Sequence, residues 1–232
     1  MSTILIIDDE EHILRMLEMN VRNKGYSCLT ALSGEEGLAL AFEHLPDLIL
    51  LDVMLPGISG VEVCRQLKED SKTRRIPVVM LSAKSEGKDK IKGLLGGADD
   101  YITKPFSIEE LFLRIAASLR QVDILTGNTQ PVVFSMGSLT LDTGKFQLHS
   151  NGIKIDLTLT EFRILHMLME KKETIISRKT LIREIIGKEP ENSGRTLDVH
   201  IRNIRRKFSN AEVQGCRIET VRGSGLKISD FP

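Results

Sequence analysis

Over the first half of the chain, short apolar runs alternate with amphipathic stretches. Thr3-Ile-Leu-Ile-Ile7, Leu48-Ile-Leu-Leu51 and Pro77-Val-Val-Met-Leu81 have no polar alternation, the pattern of strands covered on both faces. Tyr26 to Ala31 and Tyr101-Ile102 read as two shorter strands. After Asp9, a helix places Ile13, Leu14, Leu17 and Val21 on one face and ends near Gly25. Further helices are predicted over residues 33–44, 60–68, 86–95 and 107–122. Ser33-Gly-Glu-Glu36 and Ser107-Ile-Glu-Glu110 are capping boxes, in which a Ser and a Glu three residues on satisfy free amides at a helix start. Strands alternating with helices in this way require right-handed crossovers and a parallel, doubly wound α/β sheet of five strands.

The pattern changes after Gln121. Thr126-Gly-Asn-Thr-Gln-Pro131 has linker composition, which predicts a unit over 1–122, a linker over 123–131 and a second unit over 132–232. Val132-Val-Phe134, Leu139-Thr-Leu141, Phe146-Gln-Leu148 and Ile153-Lys-Ile155 are short strand candidates, and Asn151-Gly152 between two of them is a strong hairpin signal. Thr158-Leu-Thr-Glu161 caps a helix bearing Phe162, Leu165, Leu168 and Met169, and Ser177 opens a second helix to about Ile186. Residues 187–194 read as a loop. From Arg195 to Phe208 a third helix puts Leu197, Ile201, Ile204 and Phe208 in a narrow apolar stripe. Its opposite face holds Arg195, Val199, Arg202 and Arg206 with Asn203 beside them, and His200, Arg205 and Lys207 on the flanks. Cys216–Val221 and Leu226–Ser229, either side of Arg222-Gly-Ser-Gly225, predict a terminal hairpin with a basic tip.

Composition narrows the class. The 232 residues are 41% hydrophobic and 28% charged, enough for two globular domains. No apolar run approaches the roughly 18 residues of a membrane span, and Asp8 to Glu11 interrupt any signal peptide, so a cytoplasmic protein without membrane contact is expected. Cys28, Cys64 and Cys216 are odd in number and far apart, which predicts buried thiols in a reducing compartment. Residues 1–120 carry fifteen Lys and Arg against nineteen Asp and Glu, net −4, whereas residues 121–232 carry seventeen against thirteen, net +4. The halves therefore suit different partners: cations or phosphates for the first, nucleic acid for the second.

The carboxyl edge of the predicted sheet gathers the chemistry. Asp8 and Asp9 end the first strand, Asp52 the third and Ser82 the fourth, and Lys104 follows the fifth. In open α/β sheets this edge is where sites are built. Grouped carboxylates repel unless a cation sits among them, and hard oxygen ligands suit Mg²⁺. A lysine and a hydroxyl nearby can hold phosphoryl oxygens, so Asp52 is a plausible nucleophile toward phosphorus. In the second half, a helix with one core face and one arginine-rich face fits the major groove of double-stranded DNA.

Asp8-Asp9, Asp52, Ser82 and Lys104-Pro105-Phe106, with the stretch Gly97 to Phe106, resemble the receiver domain of two-component response regulators. The resemblance implies that Asp52 accepts phosphate from a sensor histidine kinase. Asp9, Asp52 and the Met54 carbonyl would hold Mg²⁺, with Asp8 acting through water. Lys104 and Ser82 would contact the phosphoryl group, Tyr101 would turn inward, and the Lys104–Pro105 bond would be cis.

Leu159-Thr-Glu-Phe162, Arg195 to Arg202 and Thr220-Val-Arg-Gly-Ser-Gly225 closely resemble the winged helix-turn-helix domain of OmpR/PhoB-type regulators. This likeness implies that helix 195–208 reads bases and Arg222 enters the adjacent minor groove. His200, Arg205 and Thr220 would touch the DNA backbone, and the loop 187–194 would meet RNA polymerase. Asn203 stands where the family often has a second arginine, Leu226 where an aromatic is usual, and Ile186 where Trp is common.

The same family forms active homodimers through the fourth helix, fifth strand and fifth helix of the receiver. Lys90 with Glu110, and Asp100 with Arg114, match its intermolecular ion pairs, while its third pair falls on the apolar Leu95 and Ala116. The expectation is a DNA-binding regulator and not an enzyme. A phosphate hydrolase would want a second carboxylate two residues after the nucleophile, where Met54 stands. A rival is a DNA-binding protein whose receiver works without phosphate.

Overall fold

The computed structural model describes residues 1–83, 97–126, 132–186 and 193–231, without the side chains of residues 83, 120–126, 186 and 193–195. The chain forms two compact units, Met1–Leu119 and Arg120–Pro232.

In the first unit, β1 (Thr3–Ile7), β2 (Ser27–Ala31), β3 (Leu48–Asp52), β4 (Val78–Ala83) and β5 (Asp100–Lys104) form one sheet in the order β2-β1-β3-β4-β5. Every pairing is parallel. The helices are α1 (Glu11–Asn23), α2 (Gly34–His44), α3 (Gly60–Glu69) and α4 (Ile108–Thr126). The predicted helix at 86–95 falls outside the described residues.

Period-two alternation in each strand splits the core between the two faces of the sheet. Leu5, Ile7, Ile49, Leu51 and Met80 pack with Leu38 and Ala41 of α2 and Val63, Cys64 and Leu67 of α3. Ile4, Ile6, Leu48, Leu50, Val79 and Leu81 pack with Leu14, Leu17 and Val21 of α1 and Leu111 and Ile115 of α4. Each such aliphatic side chain contributes roughly 1.5–3 kcal/mol on burial. A buried ion pair ties the far edge together: Lys68 donates to Asp99 at 2.6 Å and to the Ile76 carbonyl at 2.6 Å, and Asp99 accepts the Val78 amide at 2.9 Å.

The loop from β3 to α3 is tight. A Cβ on Gly60 would lie 1.8 Å from the Asp52 carbonyl oxygen, so only glycine fits where α3 starts against the end of β3. Ser33, Ser59 and Ser107 each accept an amide three residues on. Glu36 turns back to the Leu32 amide, one residue before the position that a complete capping box uses.

The second unit opens with an antiparallel sheet of β6 (Val133–Met136), β7 (Leu139–Asp142), β8 (Gln147–Ser150) and β9 (Ile153–Ile155), in sequence order. Asn151 and Gly152 make the predicted turn, both at positive φ (49° and 81°). Then follow α5 (Leu159–Glu170), α6 (Arg178–Ile186), α7 (Ser193–Asn210) and the hairpin β10 (Cys216–Val221) with β11 (Gly225–Asp230). Thr158 and Glu161 close a complete capping box on α5. Phe162 stacks on Phe146 with centroids 3.8 Å apart. It anchors a core of Leu165, Leu168, Ile201, Ile204, Phe208, Ile218 and Ile228 that joins all these elements.

Candidate functional site

Three strands of the first sheet deliver one polar cluster. Asp8, one residue past β1, is fully buried, and Asp52, the last residue of β3, is 5% exposed. Lys104 closes β5 and its ammonium reaches both, donating to Asp8 Oδ2 at 2.8 Å and to Asp52 Oδ2. The free oxygens are held by the backbone: Met54 N–H donates to Asp52 Oδ1 at 2.7 Å and Glu10 N–H to Asp8 Oδ1 at 3.0 Å. Ser82, 1% exposed, follows on β4, and its hydroxyl has no hydrogen-bond partner among the described residues. The Tyr101 hydroxyl is likewise buried and unpartnered among the described residues, and burial raises its phenol well above the ordinary value. The Lys104–Pro105 bond is cis.

Two carboxylates against one ammonium leave the cluster short of positive charge. Burial pushes the Asp52 carboxyl up to about 6, against hydrogen bonds from Lys104 and Met54 that lower it. Such a site favours a further cation, and its donors are hard oxygens without sulfur or imidazole, the set that suits Mg²⁺. The expected metal set is only partly assembled. Asp8 and Asp52 share the lysine, Asp9 is exposed, and the described residues contain no group of three or more such ligand side chains close enough to hold an ion. Holding a cation here requires Asp9 to turn in or Lys104 to yield one carboxylate.

Of the expected dimer-face residues, Lys90 and Leu95 lie outside the described residues, and Ala116 is half-buried on α4. Arg114 is satisfied within its own chain. Its Nη1 donates to both Asp100 oxygens at 3.0 and 2.7 Å, and its Nη2 to Glu110 at 3.2 Å.

On α7, Arg202, Arg205 and Arg206 are exposed and Val199 is half-buried. Two of the residues expected to contact DNA are buried in this conformation: His200 is fully buried and Asn203 is 7% exposed. The helix packs through an arc wider than the apolar stripe, because Thr196, His200 and Asn203 face inward beside Ile204. The ion pair from Lys207 to Glu161, at 2.5 Å, extends the same side. The Arg195 side chain and the loop 187–192 fall outside what is described.

Thr220 and Arg222 are exposed on the terminal hairpin, Arg222 in its turn. A Cβ on Gly225 would lie 2.0 Å from the Ile176 carbonyl, at a φ of 155°, so glycine is needed where β11 bridges to the segment before α6. The sequence pattern missed Arg178, which pairs with Asp198 at 2.6 Å. Asp198 is the one acidic residue on the outer face of α7, and no local signal links positions twenty residues apart.

A doubly wound α/β unit with a buried carboxylate pair, joined to a winged helical unit, is the architecture of a signal-responsive DNA-binding protein. Residues 4–116 match the response regulator receiver domain family, and residues 152–228 the family described as transcriptional regulatory protein, C terminal. The chain is 39% identical to the response regulator ArlR of Staphylococcus aureus over 228 residues, spanning 98% of this chain and all of ArlR. Solved structures agree. DrrB, a Thermotoga maritima OmpR/PhoB homologue, is 30% identical over 99% of both chains with a TM-score of 0.50. A mutant of RitR, at 24% identity and a TM-score of 0.79 over both full chains, shares the fold. The chain belongs to the OmpR/PhoB-type response regulators. These are two-component, DNA-binding transcription regulators and not enzymes, and their partners are in general a histidine kinase and DNA. Receiver domains typically use Mg²⁺ for phosphorylation. Among the described residues, no helix is long and apolar enough to cross a membrane.

Proposed function

We propose that Asp52 is the phosphoacceptor of a switch that controls DNA binding. An Asp52 oxygen attacks the phosphorus of a kinase phosphohistidine, the P–N bond breaks, and an acyl phosphate forms on the carboxylate. Asp8, Asp9, Asp52 and the Met54 carbonyl would hold Mg²⁺, which when bound neutralises the charge that develops on the phosphoryl oxygens. Lys104 pairs with one of those oxygens as its bond to Asp52 is given up. The Ser82 hydroxyl, buried without a partner, receives another, and Tyr101 moves with it. The single observation that carries this reading is the Lys104 ammonium bridging two buried carboxylates beside an unpartnered hydroxyl.

In this reading the receiver spans 1–122, the linker 123–131 and the DNA-binding domain 132–232. The phosphorylated chain forms a homodimer through the face carrying Lys90, Leu95, Asp100, Glu110, Arg114 and Ala116. Pairing two DNA-binding domains raises the effective concentration of the second on adjacent half-sites. Arg202 and Arg206 of α7, with Arg195 and Val199, read the major groove, and Arg222 reaches the minor groove. The loop 187–194 meets RNA polymerase in the cytoplasm.

The test compares wild type with Asp52→Ala, with and without Mg²⁺ and a small phosphodonor, by intact mass, oligomeric state and DNA affinity. The wild type gains one phosphoryl group, dimerises and binds DNA more tightly, and the variant does none of these. Equal dimerisation and DNA binding by both proteins without phosphate would instead make the receiver a constitutive dimerisation module.

A further inference from the structure

We propose that Glu35 is a positioning residue for the metal site: from the first turn of α2 it holds the loop between β3 and α3, and so fixes where the Met54 carbonyl stands beside Asp52. The inference rests on the reading of Asp52 as the phosphoacceptor and of the Met54 carbonyl as a Mg²⁺ ligand.

The loop is tied at its ends. Val53 N–H donates to the Leu81 carbonyl of β4 at 3.0 Å, and Gly60 N–H returns to the Val53 carbonyl at 3.1 Å. Between them, the backbone of Leu55–Ile58 makes one hydrogen bond among the described residues, and it leaves the loop. Ile58 N–H donates to Glu35 Oε1 at 3.3 Å, across 23 positions of sequence. The carboxylate also lies against the bend itself, since a Cβ on Gly57 would stand 2.8 Å from the same Oε1. Ile58 rests on the same turn of α2, where a Cβ on Gly34 would stand 2.6 Å from Ile58 Cγ1. That turn is fixed in its own right. Ser33 Oγ accepts the Glu36 amide at 3.2 Å, and Glu36 accepts the Leu32 amide at 2.9 Å. Glu35 therefore reaches out from a capped helix start, between the two residues that cap it.

Met54 is where the tether matters. Its side chain is 61% exposed, so packing does not fix the residue. Its amide donates to Asp52 Oδ1 at 2.7 Å, while Lys104 holds Oδ2. Phosphoryl transfer uses one Asp52 oxygen as nucleophile and the other as a metal ligand, so the bond between Met54 and Asp52 is weakened or given up as the site fills. The Glu35 bond lies away from the reacting atoms and persists. The loop then does not have to be ordered at the moment a cation arrives, and ligands held ready in this way bind more tightly without any new contact.

The full chain is titrated with Mg²⁺ alone by calorimetry, and its phosphorylation by acetyl phosphate is followed by intact mass across a series of Mg²⁺ concentrations. Glu35→Ala should weaken Mg²⁺ binding about fivefold, the effect of one lost hydrogen bond, and raise the Mg²⁺ concentration for half-maximal rate by the same factor. Glu35 is exposed, so the melting temperature in EDTA should stay at its wild-type value. Glu35→Gln keeps an oxygen that accepts the Ile58 amide and should remain within about twofold of the wild type. A carboxylate acting on the cation only through space predicts the opposite: Gln as weak as Ala, with both recovering as salt is added. That result overturns the positioning role, and so does an Ala variant that binds Mg²⁺ as the wild type does. A wild-type chain that neither binds Mg²⁺ nor gains a phosphoryl group overturns the phosphoacceptor reading, and the tether with it.

Discussion

Arg114 Nη1 grips both carboxylate oxygens of Asp100 within the same chain, at 3.0 and 2.7 Å, with the two side chains only 13% and 9% exposed. Burial raises the Asp100 carboxyl, opposed by the charge of Arg114. The pair fastens α4 to the start of β5, so its residues cannot serve a second protomer without first giving up, or sharing, this contact. Arg114→Glu should destabilise the monomer by about 3–5 kcal/mol, the usual result of breaking a buried pair from one side. It should also abolish phosphorylation-dependent dimerisation. Urea unfolding and sedimentation on the same samples separate the two effects, and unchanged dimerisation would remove Arg114 from the dimer face.

Asp52 sets a pH dependence in the metal-free chain. Its carboxyl is raised from 3.8 to about 6, first by burial. The unfolded chain therefore releases this proton near pH 4 and the folded chain only near pH 6, so stability falls as pH rises through that window. Asp52→Asn should leave stability at pH 4 nearly unchanged and raise it at pH 7 by about 1–2 kcal/mol, discounted for solvent screening. Thermal melts in EDTA at the two pH values measure it, and equal gains at both would reject the assignment.

Gly60 makes the tight approach at the start of α3. Gly60→Ala brings a methyl group within 1.8 Å of the Asp52 carbonyl, which no rotamer relieves. The variant should lose about 2 kcal/mol or more. In whatever fraction stays folded it should accept phosphate from a small donor far more slowly, read by intact mass against time.

In the second unit, Glu161 is buried and accepts from both Lys207 and the Thr158 amide. Lys207→Met removes a charge from α7 and strands the carboxylate. A loss of about 2–4 kcal/mol is expected, with DNA affinity measured below the melting transition falling by less than for Arg202→Ala. Equal losses of affinity in the two variants would mean that Lys207 itself contacts DNA.

How far the sequence carried these conclusions depended on whether a signal was local. The sheet was legible because Leu48–Leu51 and Ile4–Ile7 have no polar alternation, and the placing of Asp8, Asp52, Ser82 and Lys104 on one edge follows from strand ends alone. The capping boxes and the Asn151-Gly152 turn are also written in a few adjacent residues. Boundaries drifted where packing extends a strand: β5 runs from Asp100 to Lys104, beyond the two residues with a clear apolar signature. The burial of two polar side chains on α7 was not legible for a related reason. A helical wheel assumes that polar residues face water, but α7 packs through His200 and Asn203 as well as through its leucine and isoleucines. The bonds of Glu35 to the Ile58 amide, and of Arg178 to Asp198, join residues distant in sequence and have no local signature.

The three cysteines have a practical consequence. All are buried, and burial pushes their thiols to about 11, 12 and 11 at Cys28, Cys64 and Cys216. In the folded chain almost no thiolate is offered to an alkylating reagent at neutral pH. Labelling can then proceed only through transient opening, so its rate is a clock for that opening. Two of the timers sit in the first unit and one in the second. Peptide-resolved alkylation of the unmodified wild type can therefore time the opening of each unit separately, before and after the switch is thrown.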